Sequence, residues 1–420
     1  MQLSKPRVLI IGGGFGGLTS AKSLRKAKVD VILVDKTNHH LFQPLLYQVA
    51  TAALSPGDIA IPLRAILRKY KNTQVIMDEA LKVDLENRKV VFSDGTLSYD
   101  YLILAPGSRH SYFGHPEWEK FAPGIKSLKD ALEIRERVLL SFEMAERNYN
   151  TPEAKKYLNF VIIGGGPTGV ELAGSIAEIA RKTMLPDFPL LNSNDIKIYL
   201  LEAGERILST FNPELSNYTN TVLQKLGVEI QVNTRVLDIQ ENIVQTTIGN
   251  IDTVNAIWAA GNEASPLLKS LNVPLDNAGR VLVNADLSIL GHPNVFVIGD
   301  ACFLYDKEGK IVPGVAPAAN QEAEFVADNI KNKIPQEKRK PFNYHNKGTL
   351  ATIGIAKAIA DFGKIKFTGF IAWFLWSFLH ILFLINYRNK YRVFLEWCWY
   401  YITNQPGARL IVYNKKRVPH

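Results

Sequence analysis

Cysteine is almost absent from this chain of 420 residues, which contains only Cys302 and Cys398. These residues lie 398 − 302 = 96 positions apart, so they form neither a CxxC nor a CxxxxC pair. No cluster of histidine and cysteine has the spacing of metal ligands. We therefore expect no disulfide framework and no bound metal, which fits a protein of a reducing cytoplasm.

We also expect no cleavable signal sequence and no secretion, because the first apolar run, residues 8–11, is short and leads directly into glycines. No dense basic run is interleaved with aromatics, which argues against nucleic acid as a partner although the formal net charge is +9. Basic residues surround an apolar C-terminal region instead. This favours a membrane surface over the alternative that the charge has no specific partner. The length allows two or three domains of roughly 100–200 residues each.

The N-terminal segment has the order of a dinucleotide-binding unit. An apolar strand at Arg7–Ile11 leads into the sequence GGGFGG at residues 12–17, a helix is predicted over 18–27, and a second strand over 29–34 ends at Asp35. Strand, glycine turn, helix, strand and acid in this order are typical of a βαβ unit that binds a dinucleotide. The alternative is an ordinary tight turn, since a glycine-rich turn alone is weak evidence.

The glycines of this turn have separate tasks in such a unit. Gly12 permits the tight turn, Gly14 lets the backbone approach a pyrophosphate, and Gly17 lets the helix pack closely on the strand. The N–H groups at the start of the helix then face the phosphates. Asp35 lies 35 − 12 = 23 residues after Gly12, where its carboxylate can accept a hydrogen bond from a ribose hydroxyl.

The same unit recurs 164 − 12 = 152 residues later, about one domain further along the chain. A strand at 160–163 leads into GGGPTG at 164–169, followed by a predicted helix over 170–182 and a strand over 196–201 that ends at Glu202. The repeat predicts two dinucleotide-binding domains in tandem.

Other strands and helices are predicted from their periodicity and their turn residues. The strands are 73–77, 81–84, 89–92, 101–105, 228–232, 235–240, 243–247, 254–258 and 295–298, and the helices are 128–147, 215–226 and 318–329. Asp94-Gly95 is the predicted turn of a hairpin. The loop over 38–50 is expected to line a cofactor or a second substrate; the alternative is an ordinary loop with a buried apolar side.

An apolar run at 369–385 contains Ser377 and His380 as its only polar residues. Its length is at the short limit of about 17–25 residues for a membrane-spanning helix, and both of its flanks are basic. A second helix of mixed polarity is predicted over 391–402. We expect two amphipathic helices that lie in one leaflet. The alternatives are one transmembrane helix near 368–386 and a soluble dimer interface.

A third element completes the pattern, the strand 295–298 followed by Gly299-Asp300. With the two glycine motifs it covers residues 1 to about 360 and resembles the two-dinucleotide-binding-domain flavoprotein family. The resemblance implies that the first fold binds FAD, with Asp35 at its adenosine ribose, and that the second fold binds NAD(P)H. It also implies that Gly299-Asp300 closes on the ribityl chain. Hydride transfer would require the two rings to stack about 3–3.5 Å apart.

Within that family, the missing CxxxxC pair excludes disulfide reductases, and the two cysteines do not match those of sulfide–quinone reductases. The sequence is similar instead to the type II, non-proton-pumping NADH:quinone oxidoreductases. The similar segments are LFQPLL at 41–46, PTGVELAG at 167–174, KGTLATIG at 347–354 and the aromatic C-terminal tail. One departure is in the Ala-Gln-x-Ala-x-Gln signature, where Pro317 replaces the first glutamine while Gln321 keeps the second.

The resemblance implies an α/β fold with two Rossmann-like domains and a C-terminal amphipathic, membrane-binding helical region. The FAD-binding domain would comprise 1–115 and 285–360, the connecting helix and linker 116–157, the NADH-binding domain 158–284, and the membrane-association region 361–420. The implied function is that of a single-subunit respiratory flavoenzyme that oxidises NADH and reduces a membrane quinone, ubiquinone or menaquinone. Its expected location is the lipid surface on the cytoplasmic face of the inner membrane. A homodimer is one assembly that the sequence allows, and the sequence does not decide the oligomeric state.

The resemblance also assigns residues to each cofactor. For FAD they are Gly12, Gly14, Gly16, Gly17, Asp35, Lys36, Gln43, Ala105, Gly107, Gly299, Asp300, Pro317 and Ala318. For NADH they are Gly164, Gly166, Thr168, Gly169, Glu202, Ala260 and Gly261. A 2′-phosphate would be repelled by Glu202, so NADH is favoured over NADPH. Arg206 would soften that preference unless it is an ordinary surface residue.

Three residues are assigned to catalysis. Glu171 would orient substrates or relay protons where nicotinamide, flavin and quinone meet; the alternative is a carboxylate favoured by the helix N-terminus. Gln321 would supply an amide beside the flavin, on the helix that begins at Pro317 and directs its N–H groups at the ring. Lys347 would stabilise negative charge on the quinone; the alternative is a solvated loop lysine.

Two other functions remain open at the level of sequence. A reductase with a soluble electron acceptor, such as a ferredoxin or rubredoxin, would not need residues 367–403. A non-catalytic flavoprotein that regulates assembly at a membrane would bind both cofactors without turnover.

Overall fold

The structure, a computed structural model, describes residues 5–411, so the predicted domain ranges 1–115 and 361–420 extend beyond the described residues. The α-helices are α1 (Phe15–Ser23), α2 (Leu46–Ala50), α3 (Pro56–Ile59), α4 (Leu63–Leu67), α5 (Leu128–Arg147), α6 (Ala154–Leu158), α7 (Pro167–Glu178), α8 (Pro213–Lys225), α9 (Ala316–Lys331), α10 (Gly369–Phe383) and α11 (Tyr387–Thr403). The strands are β1 (Arg7–Ile11), β2 (Asp30–Asp35), β3 (His39–Leu41), β4 (Ala60–Pro62), β5 (Thr73–Met77), β6 (Ala80–Asp84), β7 (Lys89–Phe92), β8 (Gly95–Ser98), β9 (Tyr101–Leu104), β10 (Ser108–His110), β11 (Asn159–Ile163), β12 (Lys197–Leu201), β13 (Val228–Gln231), β14 (Val236–Gln240), β15 (Ile243–Thr246), β16 (Gly249–Asp252), β17 (Asn255–Trp258), β18 (Asn262–Ala264), β19 (Val281–Leu282), β20 (Ser288–Ile289), β21 (His292–Val297), β22 (Cys302–Phe303), β23 (Thr349–Gly354), β24 (Lys357–Asp361) and β25 (Lys366–Thr368).

The first compact unit comprises Met1–Leu41, Ala60–Arg109 and Asn262–Lys347. Its main sheet has the strand order β20-β21-β9-β1-β2-β5, and neighbouring strands are parallel except for the edge pair β20 and β21. β1 lies inside the sheet and is buried except at Arg7, which explains its continuous apolar sequence. The antiparallel sheet β6-β7-β8 follows β5 along the chain.

The second compact unit comprises Phe42–Ile59, His110–Gly261 and Gly348–His420. Its main sheet has the order β13-β12-β11-β17 and is parallel throughout. The two main sheets share one strand order. When the strands are numbered by their position along the chain, the order is 3-2-1-4 both in β5-β2-β1-β9 and in β13-β12-β11-β17. In each unit, a three-stranded antiparallel sheet comes between the third and the fourth of these strands in the sequence. The predicted α/β fold with two Rossmann-like parts is therefore confirmed.

The two glycine-loop helices begin earlier than predicted. α1 starts at Phe15 rather than residue 18, and α7 starts at Pro167 rather than residue 170. In both cases the preceding glycine, Gly14 or Gly166, is an extended N-cap residue, so the helix begins inside the glycine motif. α7 continues beyond its last α-helical residue as a π-helical turn, Ile179–Met184.

The predicted hairpin turn Asp94-Gly95 is wrong by one residue. Gly95 already pairs with Phe92, so the turn is Ser93-Asp94. The sequence also gave no indication of the sheet β23-β24-β25, whose strands precede the C-terminal helices.

The apolar C-terminal run forms α10, which packs on β24 where Ala372 meets Ala358 and Ala360, while buried Trp376 lies beside the rings of Tyr47 and Trp397. Phe370, Phe374 and Phe378 are each more than half exposed. Within residues 5–411, no helix combines the length and the apolar character that crossing a membrane would require.

The compact units group the chain differently from the predicted cofactor domains. Phe42–Ile59 belongs to the second unit, where α2 packs on α5 and α7 and α3 contacts α11. Trp397 Nε1 donates a hydrogen bond to Gln48 Oε1 at 2.7 Å, and Asn389 Nδ2 donates to the carbonyl oxygen of Asp58 at 2.8 Å. The boundaries of the cofactor domains remain a prediction.

Candidate functional site

In the glycine loop of the first unit, Gly12 and Gly17 pack against backbone, whereas Gly14 faces open space. Gly12 has a φ of +102°, and a Cβ there would lie 2.1 Å from the carbonyl oxygen of Ala105. A Cβ on Gly17 would lie 1.8 Å from the carbonyl oxygen of Gly12, which fixes the close approach of α1 to β1. A Cβ on Gly14 would meet nothing within 4 Å. The loop is therefore tight where it packs and open at Gly14, as a backbone that receives a pyrophosphate must be.

The second glycine loop repeats these contacts. Gly164 has a φ of +113°, and its Cβ would lie 2.7 Å from the carbonyl carbon of Ala259. A Cβ on Gly169 would lie 1.8 Å from the carbonyl oxygen of Gly164, whereas Gly166 again has nothing within 4 Å. The two predicted cofactor loops therefore have the same geometry, with an open position at the start of α1 and at the start of α7.

One carboxylate accepts hydrogen bonds from the backbone of each glycine loop, in the same arrangement in both units. Asp35 accepts hydrogen bonds from the N–H groups of Gly13 and Thr37, both at 2.6 Å, one on each carboxylate oxygen. Glu202 accepts from the N–H groups of Gly165 and Gly204, both at 2.7 Å, again one on each oxygen.

Each carboxylate is thus held at the middle glycine of its loop. Its oxygens retain lone pairs that can accept from ribose hydroxyls. Together with the open glycine positions, this donor and acceptor set fits a dinucleotide in both units.

The other residues assigned to FAD lie mostly in the first unit. Ala105 follows β9, Gly107 has a φ of +71°, and Lys36 is exposed directly after β2. Gly16 lies in α1, against the side chain of Ile298.

Beyond these, the structure forms a polar cluster at the end of β21. The hydroxyl of Ser108 donates to Asp300 Oδ2 at 2.5 Å, and the N–H of Gly299 donates to Glu322 Oε2 at 2.5 Å. Pro317 and Ala318 lie in the first turn of α9, as predicted.

Gln43 is the exception among the residues assigned to FAD. It lies in the second unit, where its Nε2 donates to the carbonyl oxygen of Lys126 at 3.1 Å.

Glu322 was missed by the sequence analysis. It is buried on α9, and burial raises the pKa of its carboxyl group to about 7, against the effect of the hydrogen bond from Gly299. The signal was present: Glu322 is four residues after buried Ala318 and four before buried Val326, so a carboxyl group lies on the apolar face.

The residues assigned to NADH lie together in the second unit. Thr168 is exposed in the first turn of α7, while Ala260 and Gly261 are the second and third residues after β17. Gly261 has a φ of +71°, and its Cβ would lie 2.6 Å from the ring of Phe113.

Arg206 is not available to receive a 2′-phosphate in this arrangement. Its guanidinium donates to the carbonyl oxygens of Ser209 at 2.6 Å and Phe211 at 3.0 Å, with a longer bond to Leu208 at 3.4 Å. The negative charge of Glu202 therefore stays close to the loop without compensation from this residue.

The three residues assigned to catalysis fall in different units, with Glu171 in the second and Gln321 and Lys347 in the first. Both polar ends of the Gln321 amide bind the backbone of His345: Nε2 donates to its carbonyl oxygen at 3.1 Å, and Oε1 accepts from its N–H at 2.9 Å. Lys347 is exposed two residues further along. The geometry gives Gln321 a role in positioning the segment that contains Lys347; its assigned contact with the flavin stays a prediction.

Glu171 has the most perturbed environment of the three. The N–H of Thr352 donates to its Oε1 at a long distance of 3.5 Å. The residue keeps part of its surface exposed, yet the protein atoms around its carboxyl group are dense enough that burial raises the pKa of Glu171 to about 8. A carboxyl group with this pKa holds a proton at neutral pH and can give it up, as a general acid must.

The second unit contains a cavity whose lining includes Thr352, the residue whose N–H donates to Glu171. Residues of α2, α7, β23, α10 and α11 line it: Tyr47, Gln48, Thr51, Ala53, Ser175, Glu178, Thr352, Gly354, Ile355, Trp373, Trp376, Tyr400 and Tyr401. Tyr47 and Gln48 lie in the loop over 38–50 that was expected to line a cofactor or a second substrate. The sequence analysis did not bring the other lining residues together, because their elements are far apart in the chain.

Two known protein families match this chain, and together they cover almost all of it. The Pyridine nucleotide-disulphide oxidoreductase family matches residues 6–323, and the NDH2 C-terminal domain matches residues 346–404. The Type II NADH:quinone oxidoreductase Ndh of Mycobacterium tuberculosis is 44% identical, with 96% of this chain and 90% of that relative covered. The NdhA protein of the same organism is 42% identical, with 93% and 86% covered.

Among solved structures, NDH2 from Plasmodium falciparum in complex with NADH superposes with a TM-score of 0.86 at 22% identity. The alignment covers 97% of this chain and 100% of that one, and it supports the likeness of the fold.

Proposed function

Because the chain belongs to the pyridine nucleotide-disulphide oxidoreductase family and, within it, to the type II NADH:quinone oxidoreductases, we propose that it oxidises NADH and reduces a membrane quinone. It is a single-subunit flavoenzyme that does not pump protons. The overall reaction converts NADH, a quinone and one proton from water into NAD⁺ and a quinol. The observation that carries this conclusion is the pair of matching glycine loops, each closed by an acid, in a chain without a CxxxxC pair.

FAD, when bound, accepts a hydride from NADH and passes two electrons to the quinone. The open position at Gly14 and the N–H groups at the start of α1 would receive its pyrophosphate, and Asp35 would accept from its adenosine ribose. Asp300, oriented by the Ser108 hydroxyl, would bind the ribityl chain. The N-terminus of α9, which begins with Ala316 and Pro317, would stabilise negative charge on the ring.

NADH would bind the second loop in the corresponding way, with its pyrophosphate at Gly166 and Thr168. Glu202 would accept from the hydroxyls of the adenosine ribose. A 2′-phosphate would bring negative charge against this carboxylate, and Arg206 is already bound to three carbonyl oxygens. NADH is therefore the preferred substrate over NADPH.

Glu171 would supply a proton to the quinone as the quinol forms, since its pKa near 8 keeps it protonated at neutral pH. Lys347 would stabilise negative charge that develops on the quinone oxygen. Gln321 would act on Lys347 through the backbone of His345, which it holds by two hydrogen bonds.

Attachment to a lipid surface would use the exposed faces of α10 and α11. Phe370, Phe374 and Phe378 recur at four-residue spacing on α10 and form one apolar stripe. Tyr391 and Trp399 of α11 are also more than half exposed, and they suit the interface between lipid and water. Basic residues beside these helices favour an anionic surface, which we assign to the cytoplasmic face of the inner membrane.

A second copy of the chain is the other occupant that an apolar face of this kind could accept, as a homodimer. Co-sedimentation with lipid vesicles at a concentration where light scattering shows a monomer would favour the membrane. A stable dimer that fails to bind vesicles would favour the homodimer.

The enzymatic assignment is tested with purified holoprotein, NADH and a short-chain quinone. We expect NADH oxidation that depends on the quinone and bleaching of the flavin absorbance by NADH alone. Failure with several quinones, while ferricyanide is still reduced, would show that the physiological acceptor is something else.

A further inference from the structure

Phe113 has a backbone conformation that an aromatic residue rarely adopts. The N–H of His115 donates to the carbonyl oxygen of Tyr112 at 3.1 Å, which closes a turn with Phe113 and Gly114 at its centre. Their φ values are +52° and +97°. Turns with two positive φ values prefer Asn-Gly, Asp-Gly or Gly-Gly at these positions. Among residues 5–411, Phe113 is the only aromatic residue with a positive φ. Turn chemistry therefore does not explain a phenylalanine here.

The backbone that leads into this turn is bound to the end of β17. Trp258 Nε1 donates to the carbonyl oxygen of Ser111 at 3.0 Å, and the N–H of Ser111 donates to the carbonyl oxygen of Gly261 at 3.4 Å. The rings of Tyr112 and Trp258 are buried, with their centroids 5.0 Å apart. The packing of its neighbours therefore holds Phe113 in a conformation that is unfavourable for a residue with a large side chain.

The ring of Phe113 covers the backbone of Gly261 on one side and faces solvent on the other. A Cβ on Gly261 would lie 2.6 Å from Cζ of this ring, yet Phe113 is 68% exposed. Apolar surface in water and a positive φ in a bulky residue are both unfavourable for folding. Because neither is compensated within the described residues, the two features together indicate a role for Phe113 outside folding.

The first fold provides an internal comparison, because a similar loop follows its corresponding strand. Ala105-Pro106-Gly107 follows β9, and Ala259-Ala260-Gly261 follows β17. Each loop packs against the glycine loop of its own unit, and both end in a glycine with a φ of +71°. A Cβ on Gly107 would meet nothing within 4 Å, whereas Gly261 is covered by Phe113. The fold itself therefore does not require a ring at this place.

The strand order indicates which part of a bound dinucleotide lies nearest to Phe113. Along the neighbouring strands β12, β11 and β17, Glu202 follows the first, the glycine loop over 164–169 follows the second, and the loop that ends at Gly261 follows the third. The adenosine ribose is proposed to bind at Glu202 and the pyrophosphate at the glycine loop. The remaining part of the molecule, nicotinamide riboside, would therefore continue toward the end of β17.

We propose that Phe113 is a substrate-binding residue whose ring packs against the nicotinamide riboside half of NADH beside Gly261. This inference rests on the proposed function. Bound NADH would remove the exposed face of the ring from water, and this burial would strengthen binding. The contact transfers no atoms or electrons. Phe113 should therefore affect the affinity for NADH and leave the rate of hydride transfer almost unchanged.

A purely structural role for the ring is the competing explanation, and Phe113→Asn separates the two. Asparagine adopts a positive φ readily and is a preferred residue in this kind of turn. We therefore expect the melting temperature of Phe113→Asn to equal or exceed that of the wild type, whereas a structural role predicts a decrease. Phe113→Tyr retains the ring. Tyr149→Ala is the matched control, because it removes another exposed ring of the same unit, two residues after α5.

The measurement is stopped-flow bleaching of the flavin in the holoprotein over a range of NADH concentrations, which gives an apparent Kd and a limiting rate. We expect the apparent Kd of Phe113→Asn to be at least about tenfold higher than that of the wild type, with a limiting rate within about twofold. Phe113→Tyr and Tyr149→Ala should keep the wild-type Kd within about threefold. ADP lacks nicotinamide riboside, so its inhibition constant against NADH should stay within about twofold in Phe113→Asn.

A wild-type Kd for NADH in Phe113→Asn overturns the proposal, and so does an equal loss of affinity for NADH and ADP. If Phe113→Asn does not fold, Phe113→Ala takes its place with the same expected and contrary results. Calorimetric titration with NAD⁺, which cannot reduce FAD, repeats the comparison without turnover. A wild type that reduces no quinone would refute the proposed function, whereas the titration with NAD⁺ would still decide the role of Phe113.

Discussion

The pKa of Glu171 makes a quantitative prediction for the pH dependence of quinone reduction. With a pKa of about 8, roughly 90% of Glu171 is protonated at pH 7 and roughly 10% at pH 9. A step that needs its proton should therefore slow about tenfold over this interval. Glu171→Gln, which cannot donate a proton, should be at least about 100-fold slower than wild type at pH 7 and should lack this decline.

The assay is steady-state reduction of a short-chain quinone at saturating NADH between pH 6 and 9. Flavin bleaching by NADH, measured separately by stopped flow, controls for damage to the cofactor sites. A wild-type rate that stays flat through pH 8 would refute the reasoning. So would a variant that keeps the alkaline decline, because another group would then be its cause.

The ionisation of Glu171 also affects the free energy of unfolding, and the direction of this effect follows from the raised pKa of Glu171. The pKa of Glu171 is raised from 4.5 to about 8 on folding, so the unfolded chain binds fewer protons than the folded chain between these values. Stability should therefore fall as pH rises. The loss in the free energy of unfolding between pH 6 and pH 9 is about 2.7 kcal/mol. Glu171→Gln should lack this component when thermal denaturation of the two proteins is compared across the range.

Three further perturbations follow from the geometry. Gly12→Ala should yield protein with at least tenfold less bound FAD, measured by flavin absorbance, because the φ of +102° at Gly12 and its contact with backbone exclude a Cβ. Gly57→Ala is the control and should retain FAD, because a Cβ at Gly57 meets open space. Full occupancy in Gly12→Ala would contradict this prediction. Glu202→Gln should reduce the preference for NADH over NADPH about tenfold in kcat/KM, since the charge that repels a 2′-phosphate is removed, and an unchanged ratio would mean that another group sets it. The double variant Phe374→Asp with Phe378→Asp should bind anionic lipid vesicles at least tenfold more weakly, because two apolar side chains that contribute about 1.5–3 kcal/mol each no longer enter the lipid. Reduction of a soluble quinone should continue. Undiminished co-sedimentation would show that this face of α10 does not bind the lipid.

The glycine loops could be predicted from the sequence because their constraints are local. A positive φ at Gly12 and a packing distance at Gly17 depend on neighbouring residues, and the strand, turn and helix follow one another directly. The same holds for Asp35, whose partners are Gly13 and Thr37. Local rules therefore gave the fold class and the glycines and acids of the two loops, whereas the family resemblance supplied the other residues assigned to the two dinucleotides.

The remaining site residues depend on partners that are distant in sequence. The amide of Gln321 binds the backbone of His345, 24 positions away, and its assigned contact with the flavin stays a prediction. Gln43 binds the Lys126 carbonyl oxygen, 83 positions away, and its assignment to FAD also stays a prediction. An amide has donors and an acceptor for which many partners are equivalent, so periodicity cannot select among them.

The C-terminal helices are part of the core of the second unit rather than an attached anchor. Trp397 donates to Gln48 across 349 positions of sequence, and Asn389 binds the backbone of Asp58. Arg392 lies 3.3 Å from the Asp58 carboxylate, which is itself 1% exposed. Removing α11 would leave this buried carboxylate without its cation and the Gln48 amide oxygen without its donor, and both losses are costly in a protein interior. The segment Phe42–Ile59 lines one wall of the cavity and packs on α5 and α7 as well as on α11, so the helices with the proposed lipid-binding face hold part of this wall in place. A shortened chain that is soluble and inactive would consequently say little about the membrane, because the cavity wall would be disturbed together with the lipid contact.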